Sequence, residues 1–291
     1  MKKYLNWMLT SCRACSRSTK RASSLCARSI AAFAAILICG ASVFTSCSEQ
    51  DNPVKPDLNL AEKLVGKWLY WGYDGQIAET GESSVTTFVM EGSTLKAYIT
   101  QSMKEYDLWV HNQPAEVKID GNKITVTMKS GNTTTVEEMT DITINGDDLN
   151  YTSKFTVYMD GKMVDDMLYK LHCSKVKDDY SKILIGRWEG TVTSDEPGFE
   201  PQPFCEEYLS NGTIVEYQLI DGQWVEVEAE YAEYFIDGNL LFTRWKYAGK
   251  EEERENCIIE SYADGILTVK EVVDYDDHIY TYTNTLKKIV Q

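Results

Sequence analysis

The residues of this 291-residue chain whose types could do chemistry are few and scattered. His111, His172 and His278 share no metal-ligand spacing, and none stands beside a nucleophile signature. The run Asp274-Tyr275-Asp276-Asp277 could offer oxygen ligands to calcium, but it lacks the glycine turn and closing glutamate of a dedicated loop and reads as a solvated hairpin. Glu251-Glu252-Glu253 reads likewise as a charged loop. A glycosidase needs two carboxylates flanking one bond, and nothing in the spacing of the many acids selects a pair. No Gly-rich phosphate loop, nucleophile elbow or zinc helix is present. The expectation is a protein with no catalytic residue, no metal and no cofactor.

One residue does carry a specific chemical expectation. Before Cys47 the only charged side chains are basic, and all 45 acids follow it. Ile30 to Phe44 is an uncharged stretch of 15 residues, short of the roughly 20 that a helix needs to cross a bilayer. A cationic region, a short apolar core and small residues before a break make a secretory signal peptide. Phe44-Thr45-Ser46-Cys47 resembles the lipobox of bacterial lipoproteins, with Phe44 in place of the usual leucine. That resemblance implies a diacylglycerol on the Cys47 sulfur and an acylated new N-terminus. Ser48-Glu49-Gln50-Asp51 resembles the signal that sends Bacteroidetes lipoproteins to the outer face of the outer membrane. Several acyl chains anchor stably where one does not. The alternatives are a cut near Ser46 that frees a soluble protein, or a retained N-terminal anchor.

After Cys47 there are 22 basic residues against 45 acidic ones, a formal charge of −23. Such a balance repels nucleic acid and anionic head groups, and no basic patch offsets it. Of the eight cysteines, Cys173, Cys205 and Cys257 remain in the body of the chain, too few and too scattered for a disulfide framework. A Cys205–Cys257 bond is possible, and a buried thiol in a strand is the commoner role.

The elements that must position these residues come from an internal repeat. Leu64-Val65-Gly66-Lys67-Trp68 recurs as Leu184-Ile185-Gly186-Arg187-Trp188, the segment from Ala115 recurs from Ala232, and that from Asn145 recurs from Tyr262, at offsets of 117 to 120. Within each copy, apolar and polar residues alternate with period two, as in Ile124, Val126 and Met128 or Val225, Val227, Ala229 and Tyr231. Turn signals such as Asp120-Gly121, Asp160-Gly161, Asp221-Gly222, Asp237-Gly238 and Asp264-Gly265 separate the runs. The fold class expected is all-β: two tandem antiparallel up-and-down barrels. The expected divisions are a signal peptide over 1–46, a lipidated tether over 47–62, a first barrel over 63–178 and a second over 182–291.

A leading strand with Gly-x-Trp, Gly66-Lys67-Trp68 and Gly186-Arg187-Trp188, followed by a meander of hairpins, resembles the lipocalin-like domains of Bacteroidetes lipoproteins. The resemblance implies that Trp68 and Trp188 plug the barrel floors and that a late basic residue packs across each. Lys170 and Lys287 stand near the corresponding ends. An eight-stranded barrel is either filled by side chains or holds one small ligand. The large candidates for its interior are Tyr70, Tyr98 and Trp109 in the first copy, and Tyr217, Tyr231, Trp245, Tyr247, Tyr280 and Tyr282 in the second; they can line a pocket or fill it. Two functions follow. One is an outer-membrane lipoprotein at the cell surface binding a small apolar or amphipathic molecule. The other is a non-enzymatic module binding a partner protein or glycan through loops, with Phe199 to Phe204 as its candidate.

Overall fold

The computed structural model describes residues 58–275 and 278–289. The signal peptide, Cys47, the export signal and most of the tether lie outside them, as do Asp276 and Asp277. Helix α1, Leu58–Leu64, leads into strand β1, Gly66–Tyr73, and the short β2, Gln76–Ile77. The first sheet continues through β3 (Ser84–Glu91), β4 (Thr94–Met103), β5 (Leu108–Asp120), β6 (Lys123–Ser130), β7 (Thr133–Asn145), β8 (Asp148–Met159) and β9 (Lys162–Lys175). Each pairs antiparallel with the next, and β9 returns to β1 with Trp68 opposite Lys175, closing an eight-stranded barrel with β2 as an appendage. Closure removes the unpaired edges of an open sheet.

The second copy repeats this plan from α2, Ser181–Leu184, through β10 (Gly186–Ser194), β11 (Gln202–Tyr208), β12 (Ile214–Ile220), β13 (Gln223–Glu226), β14 (Tyr231–Asp237), β15 (Leu240–Lys246), β16 (Glu253–Ala263), β17 (Ile266–Tyr275) and β18 (His278–Ile289). Its sheet curls without a continuous seam. Where the first copy has the single long β5, the second has β13 and β14 separated by residues 227–230, and the chain just before β12 meets β14 through an isolated bridge, Thr213 to Glu233, with the Tyr234 amide donating to the Gly212 carbonyl at 2.8 Å. The run Val225 to Tyr231 is therefore not one half-buried strand. It turns from β13 into β14, and Val225 is exposed.

Both copies start on the same floor. The Trp68 indole N–H donates to the Leu64 carbonyl at 2.8 Å, and that of Trp188 to the Leu184 carbonyl at 2.6 Å. The ammonium groups of Lys175 and Lys288 lie 5.5 Å and 5.4 Å from the two ring centroids, within cation–π range. These lysines, and not Lys170 and Lys287, cross the tryptophans, because the register of the last strand against the first puts Lys175 opposite Trp68 and Lys288 opposite Trp188. The glycine of Gly-x-Trp follows from the same contact. Gly66 and Gly186 hold φ of +138° and +122°, and a β-carbon on either would meet the lysine Cε at 2.8 Å or 2.7 Å.

The two copies also share a core. Leu69 and Val85 on the outside of the first barrel pack with Leu240 and Phe242 of the second sheet, flanked by Trp109, Phe235 and Ile258. Buried polar groups span the same seam. Asp237 takes the Lys67 ammonium and the Thr100 hydroxyl, Arg254 donates to the Leu108 carbonyl, and the Asn256 amide donates to the Gly81 carbonyl at 2.9 Å.

Replacing Gly186 with alanine combines a backbone conformation that L-residues rarely adopt with a clash against the Lys288 stem. The expected loss is about 1–3 kcal/mol of stability, read as a lowered urea midpoint with Trp188 fluorescence as the probe.

Candidate functional site

The interiors of the two copies differ in what fills them. In the first, Phe88, Leu108, Ile124, Met128, Met139 and Leu149 are fully buried above Trp68. The buried carboxylate of Glu137 is satisfied by the Tyr151 hydroxyl at 2.9 Å and the Ser153 hydroxyl at 2.8 Å. In the second, Leu184, Ile259, Leu267 and Leu286 are fully buried around Trp188; Leu240 and Phe242 belong to the seam between the copies.

Above that floor the strands of the second sheet present acids. Successive residues of a strand face opposite ways, so the parity of a buried apolar residue assigns its neighbours. On β11, Glu206 shares the face of buried Tyr208, and on β12 Glu216 shares that of Ile214. On β16, Glu253 and Glu255 share the face of Cys257, and on β17 Glu271 shares that of Leu267 and Val269. Asn284 on β18 pairs with Val269 and shares the face of Leu286. Glu206, Glu216, Glu253, Glu255 and Glu271 are each half-buried.

Burial dominates their ionisation, because a carboxylate removed from water resists charging. Burial first, then the neighbouring Glu216, pushes Glu206 up to about 8. Glu271 is pushed up to about 7 by burial and by Glu79. Glu255 is raised well above the usual range by burial, with the charges of Glu271, Glu206, Glu253 and Glu216 adding to it. Burial also raises Glu216, against a hydrogen bond from the Tyr247 hydroxyl. The Tyr208 hydroxyl donates to Glu206. None of the ion pairs among the described residues reaches these five acids.

The aromatic residues expected inside divide. Tyr70 packs against the first core, where burial raises its hydroxyl pKa. Trp245 packs against the second core, and Tyr247, just past the end of β15, donates its hydroxyl hydrogen to Glu216. Tyr280 and Tyr282 share the parity of Leu286 toward the far end of β18. Four others stand outside. Tyr98 alternates with buried Ala97 and bonds Glu91; Trp109 lies in the seam, 4.4 Å from Phe235 and beneath Arg244; Tyr217 lies under Arg187; Tyr231 bonds Glu252 and faces Arg244. Outward alternation explains all four, since each sits one residue from a buried interior neighbour or, for Tyr217, one from inward Glu216. The inward glutamates, with Tyr208 and Tyr234, are the lining that the sequence reading passes over.

Among the described residues no group of three or more His, Cys, Asp or Glu is placed to hold a metal ion. His111 stacks on Phe235, His172 meets Asn150 and Trp71, and His278 stacks with Tyr280. Cys173, Cys205 and Cys257 are buried free thiols, so Cys205 and Cys257 are not bonded to each other.

No protein-family model matches the chain, and no curated protein does. Among solved structures, a protein of unknown function from the DUF3598 family of Nostoc punctiforme overlaps it at 10% identity and a TM-score of 0.22, covering 81% of this chain and 100% of its own. A "putative outer membrane protein" from Bacteroides fragilis overlaps at 8% identity and a TM-score of 0.21, covering 78% of this chain and 99% of its own.

An acid whose pKa is raised by folding stabilises the native state below its unfolded pKa and loses that contribution as pH rises through the folded value. For Glu271 the window runs from the ordinary carboxyl value of 4.5 to about 7. Glu271→Gln is expected to match the parent near pH 4.5 and to exceed its stability by about 3 kcal/mol at pH 8. Urea unfolding of both proteins at the two pH values measures the difference.

Proposed function

We propose that this chain is an outer-membrane lipoprotein, tethered at the cell surface through acylated Cys47, that binds a small amphipathic molecule inside its second copy. The observation that carries the reading is the set of inward acids of the second copy: Glu206, Glu216, Glu255 and Glu271 stand with Trp245 above an apolar floor, where the first copy has Glu137 satisfied by Tyr151 and Ser153 among apolar side chains. Small-molecule sites join apolar walls to a few placed polar groups, and this lining has both. The first copy serves as a filled buttress. No catalytic step is part of this reading; the role is to hold or pass on a ligand.

The segment after β10, the candidate for docking a protein or glycan, supports the same reading. Asp195 accepts from the Thr281 amide at 2.8 Å, Glu196 accepts from the Tyr282 hydroxyl at 2.5 Å, and Phe199 packs edge-on to Tyr282 at 5.4 Å. It is tied across the end of β18 as a rim of the interior.

Native mass spectrometry of the mature protein released gently from its own cells should show a bound small molecule, and an invariably empty protein would count against the carrier role. Cys47→Ser should move the protein from the membrane fraction to the soluble one without loss of that ligand.

A further inference from the structure

Beyond the ligand reading and independent of it, we propose that the turn Thr80–Glu82, which joins β2 to β3 in the first copy, is a pH-released clasp on the second: it grips β16 and β17 at low pH and lets go as pH rises. The strand pair it grips is incomplete. β16 and β17 pair from Ala263 opposite Ile266 only as far as Ile258 opposite Lys270, although β16 reaches back to Glu253 and β17 runs on to Tyr275. The equivalent pair of the first copy, β7 and β8, is joined to its end, Thr133 opposite Met159. Beyond Lys270, then, one flank of β17 lacks the partner strand that its counterpart has, and backbone groups left unpaired away from water are costly.

The first copy fills the gap. Thr80 is fully buried, and its hydroxyl meets both backbone groups of one residue: it accepts from the Val272 amide at 3.1 Å and donates to the Val272 carbonyl at 3.3 Å. The Glu79 carboxylate accepts from the Asp274 amide. On the β16 side the Asn256 amide donates to the Gly81 carbonyl at 2.9 Å and reaches that of Ser83 at 3.5 Å. The turn is itself fixed, with the Glu82 amide on the Glu79 carbonyl and the Ser83 amide on the Thr80 carbonyl, each at 3.0 Å. One hydroxyl, one carboxylate and two turn carbonyls thus stand in for a strand.

The groups that act on Glu79 are acids. Glu82 faces it from its own turn, with Glu105 beyond, and Asp274 and Glu271 face it from β17. Tyr70 and Tyr73 of β1, with Tyr169 of β9, lie on the first-copy side, and Glu255 and Cys257 of β16 face Glu271 on the other. The nearby bases are engaged elsewhere, Lys104 with Glu251 and the Glu252 carbonyl, Arg254 with Glu252 and the Leu108 carbonyl. Burial, then Glu82 and Asp274, pushes Glu79 up to about 7, and Asp274 keeps one carboxylate oxygen buried without a partner. A carboxyl raised by docking favours the docked state below its ordinary value and loses that contribution as pH rises through the raised one. Release bares the flank of β17 and parts the strands that carry Glu255 and Glu271.

Hydrogen exchange of the intact mature protein at pH 5 and pH 8, expressed as protection over each amide's intrinsic rate at that pH, tests this. The amides of Val272 and Asp274 should be at least about tenfold better protected at pH 5, while those of Arg187 to Val192 in β10, paired on both sides, hold steady. Glu79→Gln, uncharged at either pH and still able to accept from the Asp274 amide, should keep the pH 5 protection at pH 8. Thr80→Val, of the same shape without the hydroxyl, should lose protection of Val272 at both pH values. Equal protection at the two pH values in the parent overturns the clasp, as does a Glu79→Gln protein that loosens at pH 8 as the parent does, or a Thr80→Val protein as well protected as the parent. A loss that spreads equally to β10 overturns it too, being a loosening of the whole chain. The ligand reading stands or falls separately, on its own mass spectrometry.

Discussion

Each copy hangs on the tryptophan that closes its floor. The indole ring can lie flat across the bottom because its N–H finds the carbonyl that ends the preceding helical turn, and because a lysine from the last strand covers the outer face. That arrangement ties the first strand to the last and so determines where the sheet must curl back. It also explains the spacing of the motif. The glycine two residues before the tryptophan gives the lysine stem its passage, and the residue between them points outward, where Lys67 meets Asp237 of the other copy. A buried polar atom without its partner is expensive, so indole, carbonyl and helical turn are retained as a unit in both copies.

On this common floor the copies diverge at one strand. A continuous β5 lets the first sheet pair all the way round, and bulky apolar side chains then occupy the enclosed space. Splitting the equivalent strand into β13 and β14 interrupts the ladder in the second copy, leaving the bridge from Thr213 to Glu233 as the main link. Interiors that exclude water are filled with apolar groups, and those that admit it can hold polar ones. The inward glutamates of β11, β12, β16 and β17 accord with an interior that is not sealed.

Much of the fold was legible in the sequence because hairpins write themselves locally. Asp160, Asp221 and Asp264 hold positive φ before glycines that do the same, the chemistry expected of such dipeptides at tight turns. The duplication was legible in the recurrence around Trp68 and Trp188. Its third match was one residue out: the buried pair is Leu149 and Leu267, an offset of 118, because the turns before them are Gly146-Asp147 and Asp264-Gly265. The facing of individual aromatics was less legible. Tyr98 and Trp109 look like core residues by type, but their direction depends on phase against Ala97, Leu108 and Val110, and only pairing settles the phase. The acids were missed for a related reason. Glu206 and Glu271 stand in the apolar phase of their strands, Phe204-x-Glu206-x-Tyr208 and Leu267-x-Val269-x-Glu271, yet glutamate is so often a surface residue that the phase passes as noise. The seam between the copies leaves no periodic trace, since its residues, Leu69, Phe235, Leu240 and Phe242, lie on faces that an isolated barrel would give to solvent.

That seam gives the acidic interior its support. Burying several carboxyl groups in one interior is costly, and a lone copy would have to offset that cost from its own small core. Here the convex faces of β14, β15 and β16 lie against the filled barrel through Phe242, Asp237, Arg254 and Asn256. The strands that carry Glu253 and Glu255 inward are therefore the ones braced outward, residue by residue along the same strand. Function tends to reside where local stability is lowest, provided that the rest of the fold compensates. Duplication supplies that compensation by leaving one copy packed for stability and the other free to keep carboxyl groups inside.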